Sequence, residues 1–136
     1  MKKVLVGGVF NVIHPGHEFF FNRAREYGDY LIVVVASNKT TLMTKKYAVL
    51  GENDRKKNIE KLKLADKVVV GHETDFMETV RIEMPDVIVL GYDQKISEKE
   101  LSKQLSNENI KCKIVRIKDF LKGHKTSKLI KNKEKK

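Results

Sequence analysis

Five short apolar runs alternate with amphipathic segments along the chain. The runs span residues 3–8, 30–36, 67–71, 87–91 and 113–117. Nearly every position in them is apolar, which is typical of strands that are buried on both faces of a parallel sheet. The sequence therefore predicts five strands in the interior of the protein.

The segments between these runs favour helices. Phe20, Ala24 and Tyr27 share one helical face, and residues 52–64 are charged and helix-prone. A second apolar stripe consists of Phe76, Val80 and Met84.

Two further helices are predicted from their first residues. Ser97 has Glu100 three positions later, which predicts a capping box and a helix that continues to about Ser106. A last helix is expected to begin near Thr126. Residues 39–51 have only a weak pattern and are interpreted as a loop.

The alternation predicts a single Rossmann-like, doubly wound α/β domain with a five-stranded parallel sheet and right-handed crossovers. We expect this domain to span residues 1–132, with a basic tail at residues 133–136. Ligands of such sheets bind beyond the carboxyl ends of the strands, where the strand order reverses. The turns that begin at Gly7, Ser37 and Gly91 all follow strands, so we expect them to meet at that edge.

Composition narrows the class of protein. The 136 residues are 40% hydrophobic, which is enough for a core. The sequence has no run of 18 apolar residues, so no membrane-spanning helix is predicted. The short apolar run at the start does not have the form of a signal peptide, so a cytoplasmic location is expected. Cys112 is the only cysteine, which excludes internal disulfides and multi-cysteine metal sites, and we expect it to lie in the core.

The net charge of +10 is unevenly distributed. Residues 122–136 contain seven lysines and one glutamate and therefore carry +6 of it. This segment is interpreted either as a nucleic-acid-binding tail or as a solvated terminus. A general attraction for anionic ligands such as nucleotides fits both interpretations.

A glycine-rich turn follows the first run and leads into a helix start, with the sequence Gly7-Gly8-Val9-Phe10-Asn11-Val12-Ile13-His14-Pro15-Gly16-His17. Pro15 suits the first turn of a helix, where its missing N–H breaks no hydrogen bond. The N–H groups of that turn and the helix dipole favour an anion, and Gly16 lets a ligand approach the backbone. The segment therefore predicts a phosphate-binding site.

His14 and His17 have three interpretations. They stabilise the negative charge of a triphosphate, they bind a metal ion, or they are structural residues at a helix end. Their spacing is not that of the His-Glu-x-x-His zinc motif, and the glycines do not form the dinucleotide fingerprint G-x-G-x-x-G. The residues alone leave the three interpretations open.

These motifs resemble those of the nucleotidylyltransferase superfamily, whose cytidylyltransferase-like members carry Gly-x-Phe-Asp and then His-x-Gly-His. The matching residues are Gly8, Val9, Phe10, Asn11, His14, Pro15, Gly16 and His17. Other matches are a Gly-x-Asp after the fourth strand, a Thr-Ser pair at the last helix, a basic residue in the middle loop and an arginine after it. These are Gly91, Tyr92, Asp93, Thr126, Ser127, Lys45 or Lys46, and Arg55. Asn11 replaces the usual aspartate.

The resemblance implies transfer of a nucleotidyl group from ATP or CTP to a phosphate acceptor, with release of pyrophosphate. His14, His17 and Lys46 are the implied catalytic residues, and Lys45 accompanies Lys46. The implied nucleotide-binding residues are Gly8, Val9, Phe10, Asn11, His14, Gly16, His17, Gly91, Asp93, Thr126 and Ser127. Mg²⁺ or another divalent cation is expected on the phosphates, with no side chain assigned as its ligand, and a homodimer is expected.

Within the superfamily the chain is similar to archaeal-type FAD synthases, which adenylylate FMN. The similarity includes His-Pro-Gly-His, the run at residues 85–91 and Asp93 followed by Gln94. Glycerol-3-phosphate cytidylyltransferases usually have tryptophan after that aspartate, and this chain has none. Phe19 to Phe21 or Tyr92 are candidates to stack on a flavin, although a core role is favoured for the phenylalanines.

The resemblance thus implies AMP transfer from ATP to FMN. The alternative is a CTP-dependent cytidylyltransferase that acts on glycerol 3-phosphate or a similar polar phosphate. A third hypothesis, suggested by Asn11 and the lysine-rich end, is a nucleotide sensor or nucleic-acid-binding module without catalysis.

Overall fold

The computed structural model describes residues 1–8, 10, 15–37, 51–71, 76–91 and 97–118. The strands are β1 Lys3–Gly8, β2 Tyr30–Val35, β3 Lys67–Val70, β4 Val87–Leu90 and β5 Lys113–Arg116. The helices are α1 Pro15–Ala24, α2 Glu52–Lys61, α3 Phe76–Glu83 and α4 Glu98–Asn107, with a 3₁₀ turn at Arg25–Tyr27. All five predicted strands are confirmed, and none of their ends is displaced by more than one residue.

The strands form one sheet in the order β3-β2-β1-β4-β5, and every neighbouring pair is parallel. Strands β2 and β3 lie on one side of β1, and strands β4 and β5 lie on its other side. The strand order therefore reverses between β1 and β4. The predicted Rossmann-like α/β fold is confirmed. Ligands of such sheets bind at the carboxyl edge beside this reversal, where the predicted site residues are expected.

Alternate strand residues point to opposite faces of the sheet, and each face has its own core. On one face, strand residues such as Val4 and Val33 pack with Phe21 of α1 and Ile59 of α2. On the other face, the strands pack with apolar residues of α3 and α4. These are Met77, Val80, Leu101 and Leu105. The sheet is thus covered on both sides, which explains why its strands are almost wholly apolar.

The helix predictions are partly confirmed. Ser97 caps α4 as expected, because its hydroxyl oxygen accepts a hydrogen bond from the Glu100 N–H at 3.3 Å. The prediction that Met84 continues the apolar stripe of Phe76 and Val80 is wrong. Met84 follows α3 with a left-handed φ of 50° and is 56% exposed, so the chain leaves the helix before Met84 can join the core. The helix expected near Thr126 lies outside the described residues.

None of the helices in the described part of the chain is long and apolar enough to cross a membrane.

Three aspartates link neighbouring strands by hydrogen bonds at the amino edge of the sheet. Asp29, Asp66 and Asp86 each stand one residue before a strand. Each donates its backbone N–H to the carbonyl of a residue at, or one position from, the start of the neighbouring strand, and its side chain accepts the N–H of that same residue. The partners are Lys2 for Asp29, Leu31 for Asp66 and Lys3 for Asp86. Each pair extends the parallel ladder by one position and so helps to fix the register.

We expect Asp66→Ala to lower the free energy of unfolding by about 1–2 kcal/mol, because the N–H of the buried Leu31 loses its acceptor. Urea denaturation measures the change. Asp66→Asn is the matched control, since it keeps a side-chain oxygen, and it should lose clearly less. Equal losses would assign the effect to the ion pair of Asp66 with Arg25 instead.

Candidate active site

The turn after β1 is shaped by the Phe10 ring. Phe10 has a left-handed φ of 54°, which is uncommon for a residue with a side chain, and its ring is buried. A Cβ atom on Gly8 would lie 2.9 Å from the end of that ring, closer than such atoms approach. Position 8 therefore accommodates only glycine while the ring stays in place. The Gly8 carbonyl accepts a hydrogen bond from Ala36 N–H at 2.9 Å, which ties β1 to the end of β2.

The same ring contacts the imidazole of His17. The Phe10 and His17 rings are 5.6 Å apart between centroids, at an interplanar angle of 77°. Phe10 also packs on Phe21 of the core, at 5.4 Å. His17 is half-buried in the first turn of α1, which begins at Pro15 as predicted. An edge-to-face contact of this kind orients the imidazole at the positive end of the helix dipole.

Arg55 of α2 lies at the end of β2 and is fully buried. Its Nη1 donates a hydrogen bond to the Ala36 carbonyl at 2.9 Å, and Ala36 is the residue that pairs with Gly8. Burial lowers the pKa of Arg55 from its usual value, and the nearby Glu52 carboxylate partly opposes that shift. The resemblance placed an arginine after the middle loop, and the structure brings it to the carboxyl edge of the sheet.

Gly91 follows β4 and is buried next to the strand reversal. Its carbonyl accepts a hydrogen bond from Nη1 of Arg116 at 2.7 Å, and Nη2 of Arg116 bonds Glu98 at 2.7 Å. The hydrogen bond between Arg116 and Glu98 lowers the pKa of the Glu98 carboxyl. Arg116 belongs to none of the motifs that predict the site. The available signal was a charged residue at the carboxyl end of an otherwise apolar run, Val115-Arg116-Ile117.

Five predicted site residues are described, and all belong to the carboxyl edge. They are Gly8, Phe10, Gly16, His17 and Gly91. The others lie outside the described residues. They are Val9, Asn11, His14, Lys46, Asp93, Thr126 and Ser127, together with Lys45. The buried ring of Phe10 contacts His17 and Phe21, so any nucleotide contact predicted for Phe10 would involve its backbone.

The phenylalanine run divides between core and surface. Phe21 is fully buried, and Phe20 packs against the same core. Phe19 is half-buried, with the Arg23 guanidinium 5.9 Å from its ring centroid. The predicted core role therefore holds for Phe20 and Phe21. Tyr92, the other candidate to stack on a flavin, lies outside the described residues.

Cys112 is not placed for nucleophilic chemistry. It stands one residue before β5, at the amino edge of the sheet, and packs against the core. Burial raises the pKa of its thiol to about 11, and the nearby Asp86 adds to the effect. The thiol is therefore protonated at neutral pH, whereas a nucleophile requires the thiolate.

We expect Gly8→Ala to lower the free energy of unfolding by about 1–3 kcal/mol, because the methyl group would displace the packed Phe10 ring. Gly7→Ala is the matched control. A Cβ there would meet its nearest atom at 3.5 Å, an ordinary contact, so the loss should be smaller. Thermal unfolding of both variants measures the difference. A larger loss for Gly7→Ala would show that the Phe10 ring does not restrict position 8.

Comparison with known proteins extends the motif matches to the whole domain. The cytidylyltransferase-like family matches residues 5–133. The FAD synthase of Aciduliprofundum boonei is 43% identical over 120 residues, which are 88% of this chain and 80% of that protein. The FAD synthase of Thermoplasma acidophilum is 41% identical over 120 residues, which are 88% of this chain and 84% of that protein.

A solved structure agrees with the fold. The lipopolysaccharide core biosynthesis protein from Thermoplasma volcanium superimposes with a TM-score of 0.84 and 42% identity. The match covers 86% of this chain and 96% of the other. Because the family match spans nearly the whole chain and its relatives share the sequence and the fold, the chain belongs to the cytidylyltransferase-like family of nucleotidyltransferases, as its motifs predict.

Proposed function

We propose that the protein is an FAD synthase, which transfers AMP from ATP to FMN and releases pyrophosphate. The observation that carries this proposal is the identity of 41–43% with archaeal FAD synthases over 88% of the chain. The alternative, cytidylyl transfer to glycerol 3-phosphate, is not favoured by these relatives. A sensor that lacks catalysis is likewise not favoured.

The described part of the site supports binding of a triphosphate. The first turn of α1 presents the positive end of the helix dipole at the carboxyl edge, and Gly16 in that turn has no side chain. The His17 imidazole lies in the same turn, held by Phe10. These groups suit an anion, and His17 is proposed to stabilise charge that develops on the phosphates.

The reaction needs little from the protein beyond position and charge. An oxygen of the FMN phosphate attacks the α-phosphorus of ATP, the new P–O bond forms, and the bond to pyrophosphate breaks. A phosphate monoester has a second pKa of about 6 and is largely ionised at neutral pH, so no strong general base is required. The chain must hold two anions close together and stabilise the charge on the leaving group.

The roles of residues outside the described part follow from the motif matches. His14 and Lys46 are proposed to act with His17 on the phosphates. Asp93 is proposed to contact the nucleotide. Thr126 and Ser127 are proposed to bind the β and γ phosphates. The predicted homodimer and the cytoplasmic location remain predictions.

The proposal includes Mg²⁺, or another divalent cation, bound mainly through the phosphate oxygens of ATP. Within the described residues, no group of three or more histidine, cysteine, aspartate or glutamate side chains is arranged to hold a metal ion. A site of this kind relies on the substrate for most of its ligands. When bound, the cation neutralises phosphate charge, while the chain binds and orients the two substrates.

The reaction is tested with the purified protein, Mg²⁺ and two substrate pairs, ATP with FMN and CTP with glycerol 3-phosphate. We expect FAD and pyrophosphate from ATP with FMN, measured by chromatography and a coupled pyrophosphate assay. Pyrophosphate release from CTP with glycerol 3-phosphate, and none from ATP with FMN, would overturn the proposal.

We expect His17→Ala to lower turnover by on the order of 100-fold, the scale of losing one electrostatic donor to the transition state. Glu18→Ala, at the adjacent exposed position of α1, is the control and should keep normal turnover. Melting temperatures of both variants check the fold. Normal turnover in a folded His17→Ala variant would remove this residue from the mechanism.

A further inference from the structure

Arg116 is an almost buried arginine at the carboxyl edge of the sheet. It ends β5, its side chain is 13% exposed, and its backbone is fixed by the parallel pairing of Leu90 with Arg116. The next residue, Ile117, donates its N–H to the Leu90 carbonyl at 2.9 Å. The Arg116 side chain therefore extends from the carboxyl end of β5, which is held beside the carboxyl end of β4.

Two hydrogen bonds of this guanidinium to described residues go to different elements. Nη1 donates to the Gly91 carbonyl, directly after β4, and Nη2 donates to the Glu98 carboxylate in the first turn of α4. Gly91 and Glu98 flank residues 92–97 in the sequence, a segment that includes the predicted nucleotide-binding Asp93. One side chain thus holds both the exit from β4 and the entry into α4.

The position of Gly91 gives this contact its functional meaning. β4 lies next to β1 at the strand reversal, where ligands of such sheets bind. Gly91 is also one of the residues that the motif matches assign to the nucleotide. Gly91 is buried, and a buried carbonyl has to be paired, so the Arg116 bond fixes where this peptide group lies.

The chemistry of the contact is specific to arginine. A planar guanidinium offers diverging N–H groups that can reach two acceptors at once, whereas a lysine ammonium is a point charge on a flexible stem. The hydrogen bond from Arg116 lowers the pKa of Glu98, so the ion pair persists when the pH falls into the range where glutamate usually protonates.

We propose that Arg116 is a positioning residue of the nucleotide site, which holds the Gly91 end of β4 and the start of α4 in the geometry that ATP requires. The proposal rests on the nucleotide-binding role assigned to this edge under the proposed function. Arg116 acts through Gly91 and Glu98, and no direct contact with the phosphates is assigned to it.

The test compares ATP affinity among folded variants. We expect Arg116→Met to weaken binding of Mg²⁺-ATP by on the order of 10-fold, measured by calorimetry, and to raise KM for ATP more than it lowers kcat, because misplaced binding groups lose affinity. Arg116→Lys should lie between wild type and Arg116→Met, since lysine can replace one of the two bonds. Glu98→Ala, which leaves the Gly91 bond intact, should have a smaller effect than Arg116→Met.

Arg81→Met is the matched control. Arg81 bonds Glu108 through two nitrogens, at 2.6 and 2.9 Å, but it lies in the last turn of α3, away from the carboxyl edge. Its loss should lower the melting temperature and leave ATP affinity unchanged. Wild-type affinity in Arg116→Met, or an equal loss in Arg81→Met, would overturn the inference. Should Arg116→Met fail to fold, wild-type affinity in Arg116→Lys would overturn it.

This test is separate from that of the proposed function. A wild-type protein that binds ATP and makes no FAD would refute the proposed reaction, while the affinities of the variants would still decide the role of Arg116. A wild-type protein that binds neither ATP nor CTP would overturn both.

Discussion

The packing of the Phe10 ring over Gly8 is the contact on which the candidate site between β1 and α1 depends. It requires a residue without a side chain at the end of β1 and a left-handed backbone two positions later. The ring in turn bridges the core residue Phe21 and the His17 imidazole. One aromatic side chain, which is itself anchored in the core, therefore helps to position the first turn of α1 and its histidine.

The carboxyl edge of the sheet is built from backbone groups held by side chains. Two arginines that come from different elements, Arg55 and Arg116, each donate to a backbone carbonyl just beyond a strand end. One of these carbonyls belongs to Ala36, whose N–H pairs with Gly8, and the other belongs to Gly91. The order β3-β2-β1-β4-β5 brings these strand ends together. The two arginines at this edge therefore have a structural role, separate from the phosphate binding that is proposed for it.

Much of the fold could be predicted because buried parallel strands leave an unmistakable apolar signal. The helices were less predictable, since their limits depend on local backbone conformation. Met84 continues the apolar spacing of α3, but its left-handed φ ends the helix and exposes the side chain. Ser97, in contrast, carries a cap whose chemistry is local and therefore readable from the sequence.

The positions of Gly8, Gly16 and His17 at the carboxyl edge could be predicted, because one short motif places them at the end of a strand and in the first turn of a helix. Arg116 could not be predicted, because its partners lie 25 and 18 positions away and meet only in the folded sheet. Arg55 was placed by resemblance, but its complete burial could not be foreseen from a charged helix. No motif of this sequence recognises a flavin directly, so the choice of FMN rests on the resemblance to FAD synthases and on the relatives.

The paired aspartates at the opposite edge have an evolutionary consequence. Asp29, Asp66 and Asp86 help to fix the alignment of four strands from the amino edge, so part of that alignment is independent of the carboxyl edge. Sequence changes at the carboxyl edge should therefore disturb the strand alignment less. A sheet whose strands are linked at the amino edge can therefore keep its architecture while the residues that select the acceptor change at the carboxyl edge.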